Sequence, residues 1–326
     1  MMKPILLALK RNKLMTALAA FLLVAVILSA ATNYLVANQE LTSVIQSFQT
    51  LDSLPDGQGH KVKVILLNGQ SNASGVGSVH YLEEKSQSAD YARFEDGYDN
   101  VMINFFSENG NYSSQGEFVK AKVGQGCAPD YIGPELGLAD SLSQVFADEL
   151  VIILKYTWGG SNLHTQWRAP SMPGPTGDLY TAFINFTSAH MNYLLDKNYD
   201  ASIGAMCWMQ GESDAYLPYA NDYKDGLSGF VTDIRADLGV FSGDDGIHFI
   251  DAGIYDSPLV DQYEMINQAK RHVAALSSKN HYFDTIEAGL EYDKEPADNP
   301  DLAHFDALST LELGRLFANE ISSIYS

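Results

Sequence analysis

Four segments of the chain are almost wholly apolar, and each ends on polar or small residues: Val62–Leu67 before Asn68-Gly69, Leu150–Tyr156 before Thr157, Ile203–Met209 before Gln210-Gly211, and Ile247–Ala252 before Gly253. A strand with one wet face alternates polar and apolar residues. A strand that is apolar throughout is buried on both faces, as in a parallel sheet covered by helices. Segments of helical length separate or follow these runs: Pro134–Phe146, Asp178–Leu195, Tyr219–Leu238, Gln262–Leu276 and Ala307–Ile324. Proline at a first turn suits the helix starting at Pro134, and Asp178 is a candidate cap. Tyr282–Ile286 reads as a short fifth strand. Strands alternating with helices imply right-handed crossovers. The expected fold is therefore α/β: a three-layer α/β/α sandwich around a mostly parallel sheet of about five strands, flavodoxin-like in kind. Residues 73–130, rich in Gly, Ser, Asn and Asp, read as long loops with short elements.

The length of 326 residues suits one large domain, and 46% hydrophobic residues suffice for its core. The formal net charge of −21 argues against a nucleic-acid partner, because an acidic body repels phosphate. The N-terminus departs from this acidity. Lys3, Lys10, Arg11 and Lys13 precede an apolar run, Leu14–Leu28, and then Ser29-Ala30-Ala31. A basic start, an apolar centre and small residues describe an export signal, and the run is close to the length of a membrane anchor. The expected organisation is a signal peptide or anchor over 1–31, a polar spacer over 32–60 and a catalytic domain over 61–326. In either case the domain is exported, with membrane contact only through the N-terminal segment. Two cysteines, Cys127 and Cys207, define neither a disulfide framework nor a zinc site, and a single bridge between them is left open.

In such folds, sites lie beyond the carboxyl ends of the strands. Gly69-Gln70-Ser71-Asn72 follows the first apolar run, Gly159-Gly160-Ser161-Asn162 the second and Gln210-Gly211-Glu212-Ser213-Asp214 the third; Asp301-Leu302-Ala303-His304 precedes the last helix. Acyl transfer needs these groups. A serine hydroxyl attacks only when a base takes its proton, and the base is usually a histidine oriented by a carboxylate. With Asp301 and His304 three residues apart, one tight turn can present both to Ser71. The Ser71 and Gly160 amides and the Gln210 side chain are suitable donors to the oxyanion. Each segment alone is common in turns; their order and placement together are specific.

These segments resemble the sialate O-acetylesterase and carbohydrate esterase family 6 group of the SGNH hydrolases. The likeness runs through Ile65–Asn72, Ile132–Gly137, Lys155–Leu163, Trp208–Asp214 and Asp301–Phe305 followed by Leu313-Gly314-Arg315, so it spans about Val62 to Ala318. It implies Ser71 as nucleophile, His304 as base and Asp301 as its orienter, with Gly160 and Gln210 donating to the oxyanion beside the Ser71 amide. Ala73 departs from the methionine common after the Asn of the first block, which removes no catalytic atom.

Further residues expected near the substrate are Asn72, Ser161, Glu212 and Trp167. Glu212 and Asp214 are too close in sequence, on an already assigned loop, to serve as a glycosidase pair. The histidines outside the last block lack metal-ligand spacing, so no metal or cofactor is expected. The reading is an exported, metal-independent serine esterase acting on an acetylated carbohydrate. Its rival is an inactive carbohydrate-binding protein on the same fold, against which the intact Ser71, Asp301 and His304 argue.

Overall fold

The computed structural model describes residues 48, 50–107, 112–296 and 298–326. The expected signal or anchor over 1–31, and the spacer up to residue 47, lie outside the described residues. Six long strands build the main sheet: β1 (Lys61–Gly69), β2 (Val101–Ser107), β3 (Leu150–Thr157), β4 (Asp200–Met209), β5 (His248–Ala252) and β6 (Asn280–Phe283). Their order is β6-β5-β4-β1-β3-β2, and all neighbouring pairs run parallel. Two short antiparallel pieces, Tyr112–Ser113 and Val119–Lys120, pair with β2. The helices are α1 (Ser71–Ser74), α2 (Val79–Lys85), α3 (Ser88–Asp96), α4 (Pro134–Val145), α5 (Asp178–Asp196), α6 (Tyr219–Leu238), α7 (Tyr263–Ala274) and α8 (Ala307–Ile324).

The apolar runs are the central strands, and their burial explains their composition. Val64, Ile65, Leu66 and Leu67 of β1 are wholly buried, as are Ile152, Ile153 and Leu154 of β3. Both faces of the sheet are covered: α4 packs on α8, and α5, α6 and α7 pack in succession. This is the expected three-layer sandwich. Pro134 opens α4 as expected, whereas Gly177, not Asp178, is the residue before α5.

One expectation needs correction. The segment read as long loops with short elements contains α2, α3 and the full strand β2, so the sheet has six parallel strands rather than about five. Val101-Met-Ile-Asn-Phe-Phe-Ser107 is buried along most of its length, but its flanks of Gly, Asn and Asp hid it. Residues 50–60 are also no free spacer. Phe48 sits among Phe106, Tyr156 and Phe186, Leu51 and Ser53 bond to residues 116 and 118, and Tyr193 donates to Asp52. Cys127 and Cys207 are not disulfide-linked to each other; Cys207 is buried in β4, where burial pushes its thiol up.

The order places β1 between β3 and β4. The chain leaves β1 towards one side of the sheet and later returns to its other side. The carboxyl end of β1 is thus the topological switch point, where open α/β sheets bind ligands.

Candidate active site

Ser71 is the first residue of α1, immediately beyond β1. The strand can end there because Gly69 has φ +143°, and a Cβ at that position would lie 1.9 Å from the Met209 carbonyl oxygen. Only glycine lets the ends of β1 and β4 approach so closely. Among the described residues, neither the Ser71 hydroxyl nor its N–H makes a hydrogen bond, and Ser71 is partly exposed. Gly160 follows β3 in a turn at φ +66°. Its N–H also has no acceptor among the described residues, and no atom lies within 4 Å of where a Cβ would stand. Two backbone donors from two adjacent strand ends are therefore without an acceptor among the described residues.

Asp301 and His304 lie in one turn before α8. Asp301 Oδ2 and His304 Nδ1 are 2.7 Å apart, and Asp301 Oδ1 accepts from the Ala303 N–H at 2.9 Å. Burial of Asp301 pushes its carboxyl up, but the bonds from His304 and Ala303 outweigh this and hold it below the ordinary carboxylate range. With Nδ1 bonded to the carboxylate, Nε2 is the ring nitrogen that carries no bond among the described residues. The turn is held from behind, where Tyr255 donates to the Ala303 carbonyl and Ser257 to the Leu302 carbonyl.

Asn72 brings the two halves together. Its Oδ1 accepts from the Phe305 N–H at 3.0 Å and its Nδ2 donates to Glu212 Oε1 at 2.7 Å. The residue after Ser71 is thereby tied to the residue after His304, across 233 positions of sequence. The carboxylate of Glu212 is pushed up by burial, against the Asn72 bond, and its Oε2 is buried without a partner.

Several expected site residues take other roles. Asn72 and Glu212 hold each other. Trp167 is fully buried, edge-on to Trp208 at 5.2 Å, and its Nε1 donates to Ser161 Oγ at 2.7 Å. Neither Trp167 nor the Ser161 side chain, itself fully buried, is exposed to a substrate. Gln210 reaches the same sheet edge, but its amide is not turned to the open site. Gln210 Nε2 faces Asp214 Oδ2 at 2.7 Å, with Gln70 Oε1 and Ser161 O each at 3.1 Å, while its Oε1 accepts from Tyr223. The cause is the buried Asp214 carboxylate, which gathers donors from Leu163, His164 and Gln210.

Two supports went unnoticed in the sequence. Gln70 Oε1 accepts from the Gly211 and Ser213 amides as well as from Gln210, and so locks the residue before Ser71 to the end of β4. Lys155, one of the few charges inside an apolar run, donates to Ser74 O at the end of α1 and to Glu135. That isolated lysine within an apolar strand was the available signal. One cavity, of about 480 Å³, adjoins the Asp301–His304 turn and Phe305, and another, of about 300 Å³, lies beside the loop after β3, between Leu163, His164 and α6. Among the described residues no cluster of His, Cys, Asp and Glu has the arrangement of a metal site.

A partly exposed serine after the central strand of an open parallel sheet and an Asp-x-x-His turn before the last helix are thus the two halves of the site on an α/β fold. Among solved structures, the fold is similar to a protein from Arabidopsis thaliana at 17% identity and TM-score 0.58, over 84% of this chain and 100% of that one. NanS is similar at 15% identity and TM-score 0.56, over 84% and 99%. A carbohydrate acetylesterase from Xanthomonas citri is similar at 16% identity and TM-score 0.52, over 79% of this chain and 55% of that one. At such identities the likeness is one of fold. No curated protein matches the sequence. The family described as carbohydrate esterase, sialic acid-specific acetylesterase matches residues 61–323, and the chain belongs to that family. It is a carbohydrate O-acetylesterase.

Proposed function

We propose that the protein is exported and hydrolyses O-acetyl esters of a carbohydrate through Ser71, His304 and Asp301, by way of an acyl-enzyme. Ser71 Oγ attacks the acetyl carbonyl while His304 Nε2 takes its proton. Asp301 keeps Nδ1 protonated and stabilises the imidazolium. The oxyanion is received by the Ser71 and Gly160 amides, the two donors without protein acceptors. The sugar hydroxyl leaves with the proton from His304. Water, activated by the same imidazole, then attacks the acetyl-serine and releases acetate. No step calls for a metal.

The observation that carries this reading is the path from Ser71 through Asn72 to Phe305 and His304, together with the 2.7 Å contact between His304 and Asp301. It joins Ser71's segment to the His304 turn by a side chain bonded through both its oxygen and its nitrogen. A fluorophosphonate probe tests it: the label maps to Ser71, and Ser71→Ala loses both label and turnover while keeping its melting temperature. A label on another serine would sink the assignment. Export rests on the basic-then-apolar start of the chain. Intact mass from the native host separates a mature form starting near Ala31 or Thr32 from a membrane-bound form that keeps 1–31; a cytoplasmic pool contradicts both.

A further inference from the structure

The segment after β4 grips both neighbours of Ser71. Gln70 Oε1 accepts from the Gly211 and Ser213 amides, and Glu212 Oε1 accepts from Asn72 Nδ2 at 2.7 Å. Asn72 in turn stands between both neighbours of His304. Its Oδ1 accepts from the Phe305 N–H, and its side chain lies beside the Tyr255 hydroxyl, which donates to the Ala303 carbonyl. One amide thus spans the segment of Ser71 and the turn of His304, and Glu212 is the group that holds its nitrogen end. The helix that carries Ser71 has four residues, too few to hold itself, so the placement of the serine depends on these ties.

An asparagine amide enters a site in two ways, related by exchange of its oxygen and nitrogen. Only one serves here, because the Phe305 N–H needs the oxygen. A carboxylate accepts and cannot donate, so Glu212 takes the nitrogen end and leaves Oδ1 to Phe305. Among the described residues no other side chain bonds to Glu212. The nearby ammonium of Lys270 is engaged by Asp251 in a buried ion pair, so it does not draw Glu212 away from Asn72. The residue as a whole is part-exposed, yet its Oε2 is buried without a partner. A buried carboxyl oxygen left unsatisfied costs stability, which points to a role other than holding the fold.

We infer that Glu212 is a positioning residue for the reaction: by accepting from Asn72 it fixes the orientation of that amide, and so sets the His304 turn against Ser71. The inference rests on the reading of Ser71, His304 and Asp301 as the reacting groups. Glu212 touches neither substrate nor the reacting atoms. It acts on the spacing of nucleophile and base, to which the chemical step is sensitive, and leaves binding of the ester unchanged.

The full chain is assayed on 4-nitrophenyl acetate, with the amount of folded enzyme titrated by fluorophosphonate labelling of Ser71. Glu212→Met removes the acceptor: kcat per labelled enzyme falls about tenfold or more, while KM stays within about twofold. Glu212→Gln keeps an acceptor oxygen and stays within about threefold of wild type in kcat. Asn72→Asp breaks the same bond from the other side, since its Oδ1 still accepts from Phe305 but it has no donor for Glu212; kcat falls as in Glu212→Met. Adding Glu212→Gln to Asn72→Asp supplies a donor again and restores kcat to within about threefold of wild type. This second pair decides the matter if Glu212→Met does not fold. A lower melting temperature with unchanged kcat per labelled enzyme means that Glu212 is structural and overturns the inference. So does a Glu212→Gln variant as slow as Glu212→Met, or an Asn72→Asp variant that Glu212→Gln fails to restore. A wild-type label on a serine other than Ser71 overturns the reading of the reacting groups and the inference with it, whereas a label on Ser71 with wild-type kcat in Glu212→Met overturns the inference alone.

Discussion

Lys155 and Glu135 form an ion pair 2.7 Å long in which neither side chain is exposed. The same ammonium donates to Ser74 O at 2.7 Å and Gln125 O at 2.8 Å, so all three of its protons are spent. Glu135 Oε1 accepts from Gly133, and burial pushes its carboxyl up against the pull of Lys155. The pair thus pins the end of the short helix that begins with Ser71. Removing one partner of a buried pair leaves an uncompensated charge, at a cost of about 3–5 kcal/mol. Lys155→Met should lose that much in urea unfolding, and Lys155→Met with Glu135→Leu should recover most of it. A single variant within 1 kcal/mol of wild type, taken as roughly the error of such comparisons, would mean that the pair is not a strut.

Among the described residues the Asp301 side chain bonds only within its own turn, to His304 and the Ala303 N–H, and it is 44% exposed. Asp301→Asn should therefore keep the fold. It should lower kcat by about 10⁴-fold, because the wrong imidazole tautomer then faces Ser71. Stopped assays on a chromogenic acetate and a thermal melt check the two halves; a loss below tenfold would remove Asp301 from the triad.

Gln210 distinguishes a strut from a donor. Its amide contacts Asp214, Gln70 and Ser161, so Gln210→Ala removes a shared donor from a buried network and should cost about 1–3 kcal/mol of stability. The kcat of the folded fraction should fall less than tenfold. If stability holds while kcat drops by about 10²–10³, the amide turns to the oxyanion during reaction and is a catalytic donor after all.

His190 is a buried source of acid lability. Burial pushes its imidazole from 6.5 down to about 4, Nδ1 is bonded to Phe186 O, and Nε2 is buried without a partner. Above pH 6.5 the ring is neutral in both folded and unfolded chains, and it contributes nothing to pH dependence. As pH falls from 6.5 towards 4, the unfolded chain gains a proton that the folded chain refuses, and stability drops by about 3 kcal/mol. His190→Gln, which does not titrate, should flatten urea midpoints measured between pH 6.5 and 4. An unchanged slope would show that His190 is not the cause.

Much of this was legible in the chain itself. The central strands were readable because a strand buried on both faces must be apolar throughout, which leaves a continuous run. β2 was not, since its run lies in a region dominated by turn-forming residues and its parallel partner β3 lies far along the chain, with Val101 opposite Val151. Ser71, Gly160, Asp301 and His304 were locatable because chemistry restricts which residues can follow a strand or precede a helix at the switch point. By itself, then, the sequence determined the layer architecture, the family and the short motifs at the sheet edge, all of which depend on local pattern. Only the tertiary structure decided what those side chains face. It turned Asn72 into a tie between Ser71's segment and the His304 turn, buried Trp167 under the loop it stiffens and drew the Gln210 amide to Asp214. The first joins residues 233 positions apart, and the other two depend on which neighbouring polar group is buried beside the side chain; spacing along the chain encodes neither the distant partner nor the burial.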